Sequence, residues 1–162
     1  MNPSATRRRA RRRNDRRGAT IVETAFILPV FFVFAFGLIQ VGHINMVHRV
    51  MERACLAASR LGATDGISTA EAEAHLRGIL STAFNQSCAA VLVKDASVFD
   101  GDGDLPETSE EFSNLSDVEL EDAETGDLFL VRATLRYNDV ALVPWAVIDN
   151  LELASHSFAR HE

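Results

Sequence analysis

Between Ala25 and Ile39 every position is apolar except Pro29 and Gly37, and the apolar stretch as a whole runs from Ala19 to Val41 with Glu23 as its one ionised side chain. As a helix rising about 1.5 Å per residue it would reach roughly 35 Å, against a bilayer core of about 30 Å. Eleven of the positions from 25 to 39 are Leu, Ile, Val or Phe, each worth about −0.3 to −0.6 kcal/mol on insertion, so together about −3 to −7 kcal/mol. A carboxylate at mid-membrane costs on the order of 3 kcal/mol, and less near the end of a span, where Glu23 sits. Residues 19–41 are therefore predicted to form one transmembrane helix. Pro29 removes one backbone hydrogen bond within it, which a membrane helix tolerates.

After the span the pattern changes from uniform to periodic. Ile44, Val47, Met51, Ala54, Ala58 and Leu61 recur at helical spacing, so the helix is expected to continue as a stem over 42–62, with Gly62 as its stop and Thr64-Asp65-Gly66 as a turn. Ser68 with Glu71 is a capping box, and Leu76, Ile79, Leu80, Ala83 and Phe84 make one apolar face of a second helix. Val91–Phe99 is rich in strand formers. From Leu128 to Tyr137, Phe129, Val131, Ala133, Leu135 and Tyr137 alternate against Arg132, Thr134 and Arg136. Val118 and Leu120 could add a short strand, and Leu151–Phe158 a final one. The expected fold class is α+β: a long N-terminal transmembrane helix continuing into an outer domain, in which a second helix packs on a small antiparallel sheet of three or four strands. That domain, 63–162, is sized for one core. Trp145, beside Pro144, reads as a core anchor. Residues 100–116 are acidic without apolar periodicity and read as an exposed loop.

Charge gives the anchor a direction. Residues 1–18 carry eight arginines and Asp15, a net +7, while the remainder carries a net −14. Basic flanks stay inside, so the N-terminus is expected in the cytoplasm and the acidic remainder outside. A leader this short, tethered to a span, is a topology signal rather than a grip on nucleic acid.

Candidate chemistry is sparse. Asp100, Asp102, Asp104 and Glu111 fall at calcium-loop spacing, but the sixth position is Leu105 where such loops need glycine, and Pro106 follows, so a solvated acidic loop is the stronger reading. Cys55 and Cys88 both lie on the outer side, where oxidation is permitted. A bridge between them would close a 34-residue segment, with an effect of about 2 to 4 kcal/mol, the alternative being two buried free thiols. His43, His48, His75, His156 and His161 show no metal-ligand spacing, and neither a phosphate loop nor a nucleophile elbow occurs. No enzyme activity and no cofactor are expected.

The junction between leader and anchor carries more. A secretory signal is cut after its apolar segment; here a basic leader, Gly18, Ala19, Thr20, Ile21, Val22 and Glu23 come before it. This order resembles the processing site of the type IV pilin superfamily. The early Pro29 and the later Ala57-Ala58-Ser59-Arg60-Leu61-Gly62-Ala63 narrow the resemblance to the TadE-like pseudopilins of the tight-adherence (Flp) pilus system. The resemblance implies a prepilin peptidase cutting after Gly18 on the cytoplasmic side, leaving Ala19 as the mature N-terminus, where major pilins more often carry Phe or Met. It also implies that Glu23, fifth in the mature chain, meets the N-terminal amine of a neighbouring subunit. On this reading the chain is a bacterial inner-membrane, single-pass minor subunit or assembly factor of a pilus or secretion apparatus. Its partners would be the inner membrane, the peptidase and other pilus subunits. The alternative is an uncleaved single-pass protein whose outer domain binds a partner or ligand.

Overall fold

The structure, a computed structural model, describes residues 3–85, 88–100, 108–142 and 151–162, with side chains from Thr20 onward. Helix α1 covers Pro3–Gly62 and contains Pro29. The chain divides into two compact units, Met1–Val41 and Gly42–Glu162. In the first, the side chains from Thr20 to Phe34 all face outward.

The second unit holds the core. Helix α2, Thr69–Leu80, begins where Ser68 Oγ accepts from the Glu71 N–H at 3.3 Å while Glu71 Oε2 accepts from the Ser68 N–H at 3.1 Å. This reciprocal box satisfies donors that the first turn leaves open. Strands β1 (Ala89–Asp95), β2 (Leu128–Arg136) and β3 (Glu152–Arg160) form one antiparallel sheet with β2 in the middle. Val91 pairs with Ala133, and Ala133 with Ser155. On one face of β2, Phe129, Val131, Ala133 and Leu135 pack against the C-terminal part of α1 (Val47, Met51, Ala54, Cys55, Ala58) and against Leu76 and Leu80 of α2. Each fully buried side chain of this size contributes about 1.5 to 3 kcal/mol. The small residues of α1 at this seam let the helix come close: Ser59 Oγ lies 2.9 Å from Ser157 Oγ on β3.

Gly62, the last residue of α1, sits where space is short. A β-carbon there would stand 2.7 Å from Leu120 Cδ1 and 3.3 Å from the Phe129 ring. The turn that follows uses Gly66 at φ +78°, a conformation glycine adopts without strain.

Several segments differ from the sequence reading. The stretch from Val118 to Leu120 is not a strand; Asp117 makes an isolated bridge to Lys94, and Leu120 opens a 3-10 turn, Leu120–Asp122, with its side chain in the core. The acidic 100–116 segment is not all loop. Helix α3, Ser109–Ser113, starts at a second capping box, Thr108 with Glu111, and buries Phe112. Phe112 packs with Ala96 and Leu130 on the sheet face opposite α1, the face that alternation had marked as polar. Arg132 crosses that face under cover: its Nη2 donates to Ser109 Oγ at 2.9 Å, Ser109 Oγ donates to Glu152 Oε1 at 2.9 Å, and the guanidinium lies 3.9 Å from the Phe112 ring centre. Trp145 and Pro144 lie outside the described residues.

Candidate functional site

The anchor is a helical cylinder with a greasy surface and nothing of its own to cover it. Ile21, Phe26 and Val30 are each 70% or more exposed, and along its side Phe32 stacks on Phe36 with ring centres 6.1 Å apart and lies tilted to Phe31 at 5.9 Å. Outward-facing apolar side chains in this number require lipid or another apolar helix in place of water. Among the described residues one helix is long and apolar enough to cross a membrane, and the qualifying stretch lies within Thr20–Gly62.

The polar atoms at the start of the anchor are few. Thr24 Oγ1 donates to the Thr20 carbonyl at 2.8 Å, a bond that keeps a hydroxyl satisfied in an apolar medium. Glu23 is exposed on the same turn and makes no ion pair among the described residues. A carboxylate so placed needs a cationic partner if it is to enter hydrocarbon. Gly18 and Ala19 lie within α1, in the part of which the backbone alone is described.

The stem residues belong to the second unit. His43 Nδ1 lies 3.0 Å from Tyr137 Oη, and burial raises the Tyr137 phenol above its usual pKa. His48 faces Glu52 at 3.3 Å. No three His, Cys, Asp or Glu side chains converge on a metal-sized site among the described residues.

The two cysteines do not form the bridge that their placement allowed. Both are free. Cys55 is turned into the helix–sheet seam, where Sγ donates to the Ser155 carbonyl at 3.4 Å, whereas Cys88 sits half-buried just ahead of β1. Residue 55 lies beyond the 19–41 stretch, and burial in the seam of the second unit pushes its thiol up to about 11. Of the calcium-spaced carboxylates, Asp100 pairs with Arg160 and Glu111 accepts from the Thr108 N–H at 3.5 Å; Asp102 and Asp104 lie outside the described residues.

Compared with known proteins, residues 18–60 match the family model described as TadE-like protein. This stretch is similar to the TadE-like family. The matched stretch opens on Gly18, takes in Glu23 and Pro29, and closes on Arg60, two residues before α1 ends. No curated protein and no solved structure matches the chain. Sequence reasoning named Ser59 only within a small-residue segment and did not pair it with Ser157, whose contact holds the end of the matched stretch to β3; both are small polar residues with no periodic signal of their own.

Proposed function

We infer that this chain is a pseudopilin-type component of a tight-adherence pilus or related secretion apparatus, acting as a minor subunit or assembly factor without chemistry of its own. The observation that supports this most is the TadE-like match beginning at Gly18, on the boundary between an arginine-rich leader and a naked apolar helix. In this reading the N-terminus faces the cytoplasm, a prepilin peptidase cuts after Gly18, and the acidic domain stands outside the bacterial inner membrane. Cleavage creates an α-amino group at Ala19. That amine on a neighbouring subunit would supply the cation that Glu23 does not meet among the described residues, and the pair would form where a low dielectric strengthens it.

The test is complementation of a host strain lacking the chain. Glu23→Gln should insert into the membrane at the normal level and fail to restore pilus assembly. Full restoration would remove the amine-pairing role.

A further inference from the structure

The outward face of the stem, opposite its buried seam, carries a stripe that neither the anchor nor the core uses. Arg49, Arg53 and Arg60 are all exposed there, flanked by Met46 at 48% and Leu56 at 44% exposure. None of the three arginines makes an ion pair among the described residues. Arg60 has a local reason to be where it is, since a cation in the last turn suits the helix dipole. Arg49 and Arg53 have none. Like charges four apart on a helix repel one another, so the pair is a small liability to the isolated stem.

The same chain supplies the opposite charge. Between Asp117 and Asp127 there are six carboxylates and no base. Three have partners: Asp117 binds Lys94, Glu119 Oε1 accepts from the Thr69 N–H, and Asp127 Oδ2 accepts from the Glu124 N–H. The side chains of Glu121, Asp122 and Glu124 remain exposed, with no ion pair among the described residues. This acidic turn sits by the end of α1, because Leu120 packs on Gly62.

We propose that the stem face Met46–Arg60 is a docking surface for a second copy of this chain, which presents its Glu121–Glu124 turn to the arginines. The inference rests on the pilus-subunit reading for its setting and deepens it by naming the partner. Made one way, from the acidic turn of one copy to the stem of the next, the contact is heterologous and leaves each copy a free patch for another. Arg53 lies about 14 Å along the stem from Gly62, so a neighbour's acidic turn meets Arg49 and Arg53 when that neighbour is stepped along the stem axis. A stepped, repeating contact is what a helical array needs.

The test uses the full chain in its own membrane, with a photo-crosslinking phenylalanine analogue at Leu56. The expected product is an adduct of twice the chain mass whose second attachment maps to residues 117–127. Arg49→Glu with Arg53→Glu should cut its yield about tenfold, the combined effect of a few exposed ion pairs. The same loss is expected from Glu121→Arg with Asp122→Arg and Glu124→Arg. Co-expressing the two reversed chains should restore the adduct between them, a result that misfolding of either would not give. An adduct to lipid or to other proteins alone, no doubled-mass species, or a yield indifferent to both reversals would overturn the proposal. An adduct formed by chains that keep their leader would instead overturn the pilus-subunit reading and leave the docking surface standing.

Discussion

Cys55 Sγ donates a hydrogen bond to the carbonyl oxygen of Ser155, 3.4 Å away across the seam between stem and sheet. Burial holds this thiol protonated, raising its pKa from 9.0 to about 11. In the native chain iodoacetamide at pH 8 should therefore modify Cys88 and leave Cys55 untouched until denaturant is added, as peptide mass mapping would show. The folded pKa lies above the unfolded one, so this group's contribution to stability is complete below pH 9 and is lost as pH rises towards 11. The contribution is on the order of 2 kcal/mol. Cys55→Ala should flatten the fall of the denaturation midpoint over that range.

Gly62 and Leu120 form a second close contact. Gly62→Ala gains about 1 kcal/mol in helix propensity but sets a methyl into Leu120 and Phe129, and overpacking of this kind costs about 1 to 3 kcal/mol. A lower melting temperature is expected. Pairing it with Leu120→Ala should give less than the sum of the two single losses, because the shorter side chain makes room; strict additivity would mean the two residues do not press on one another.

These contacts mark what the sequence could and could not disclose. Ser68 with Glu71 was legible because capping and apolar periodicity are local, and the same holds for the alternation in β2. Thr108 with Glu111 is the same box, yet the surrounding acids obscured it, and Phe112 alone gives no period to read. Arg132 was marked as solvent-facing by alternation, which assigns a residue to a face without saying what covers that face; α3 arrives from 20 residues away to do so. The Cys55–Ser155 and Ser59–Ser157 contacts join positions about 100 apart. No spacing rule reaches that far, and the free state of the thiols follows from that seam rather than from their number. At the anchor the long apolar helix was legible because composition is local.

Phe112 gives a direct check on the covered face. Phe112→Ala removes the ring that lies under the Arg132 guanidinium and over Leu130, and should cost about 3 kcal/mol in urea denaturation. Hydrogen exchange should quicken over residues 108–115 and not over α2. Equal effects in both places would mean that α3 does not form its own small cluster.

The junction at Gly18 is open to the plainest experiment. Gly18→Val puts a branched side chain at the proposed scissile bond and should leave a chain that still inserts, carries its leader and assembles nothing. Immunoblots of membrane fractions would show a species larger by the mass of the leader. A variant processed like the wild type would place the cut elsewhere.

The most direct measurement is the N-terminal sequence, with intact mass, of wild-type chain extracted from the membranes of its native host. Ala19 should be the first residue, followed by Thr20, Ile21, Val22 and Glu23, with all eight leader arginines gone. A chain beginning at Met1 or Asn2 would contradict the assignment and leave a tethered extracytoplasmic domain with a basic tail.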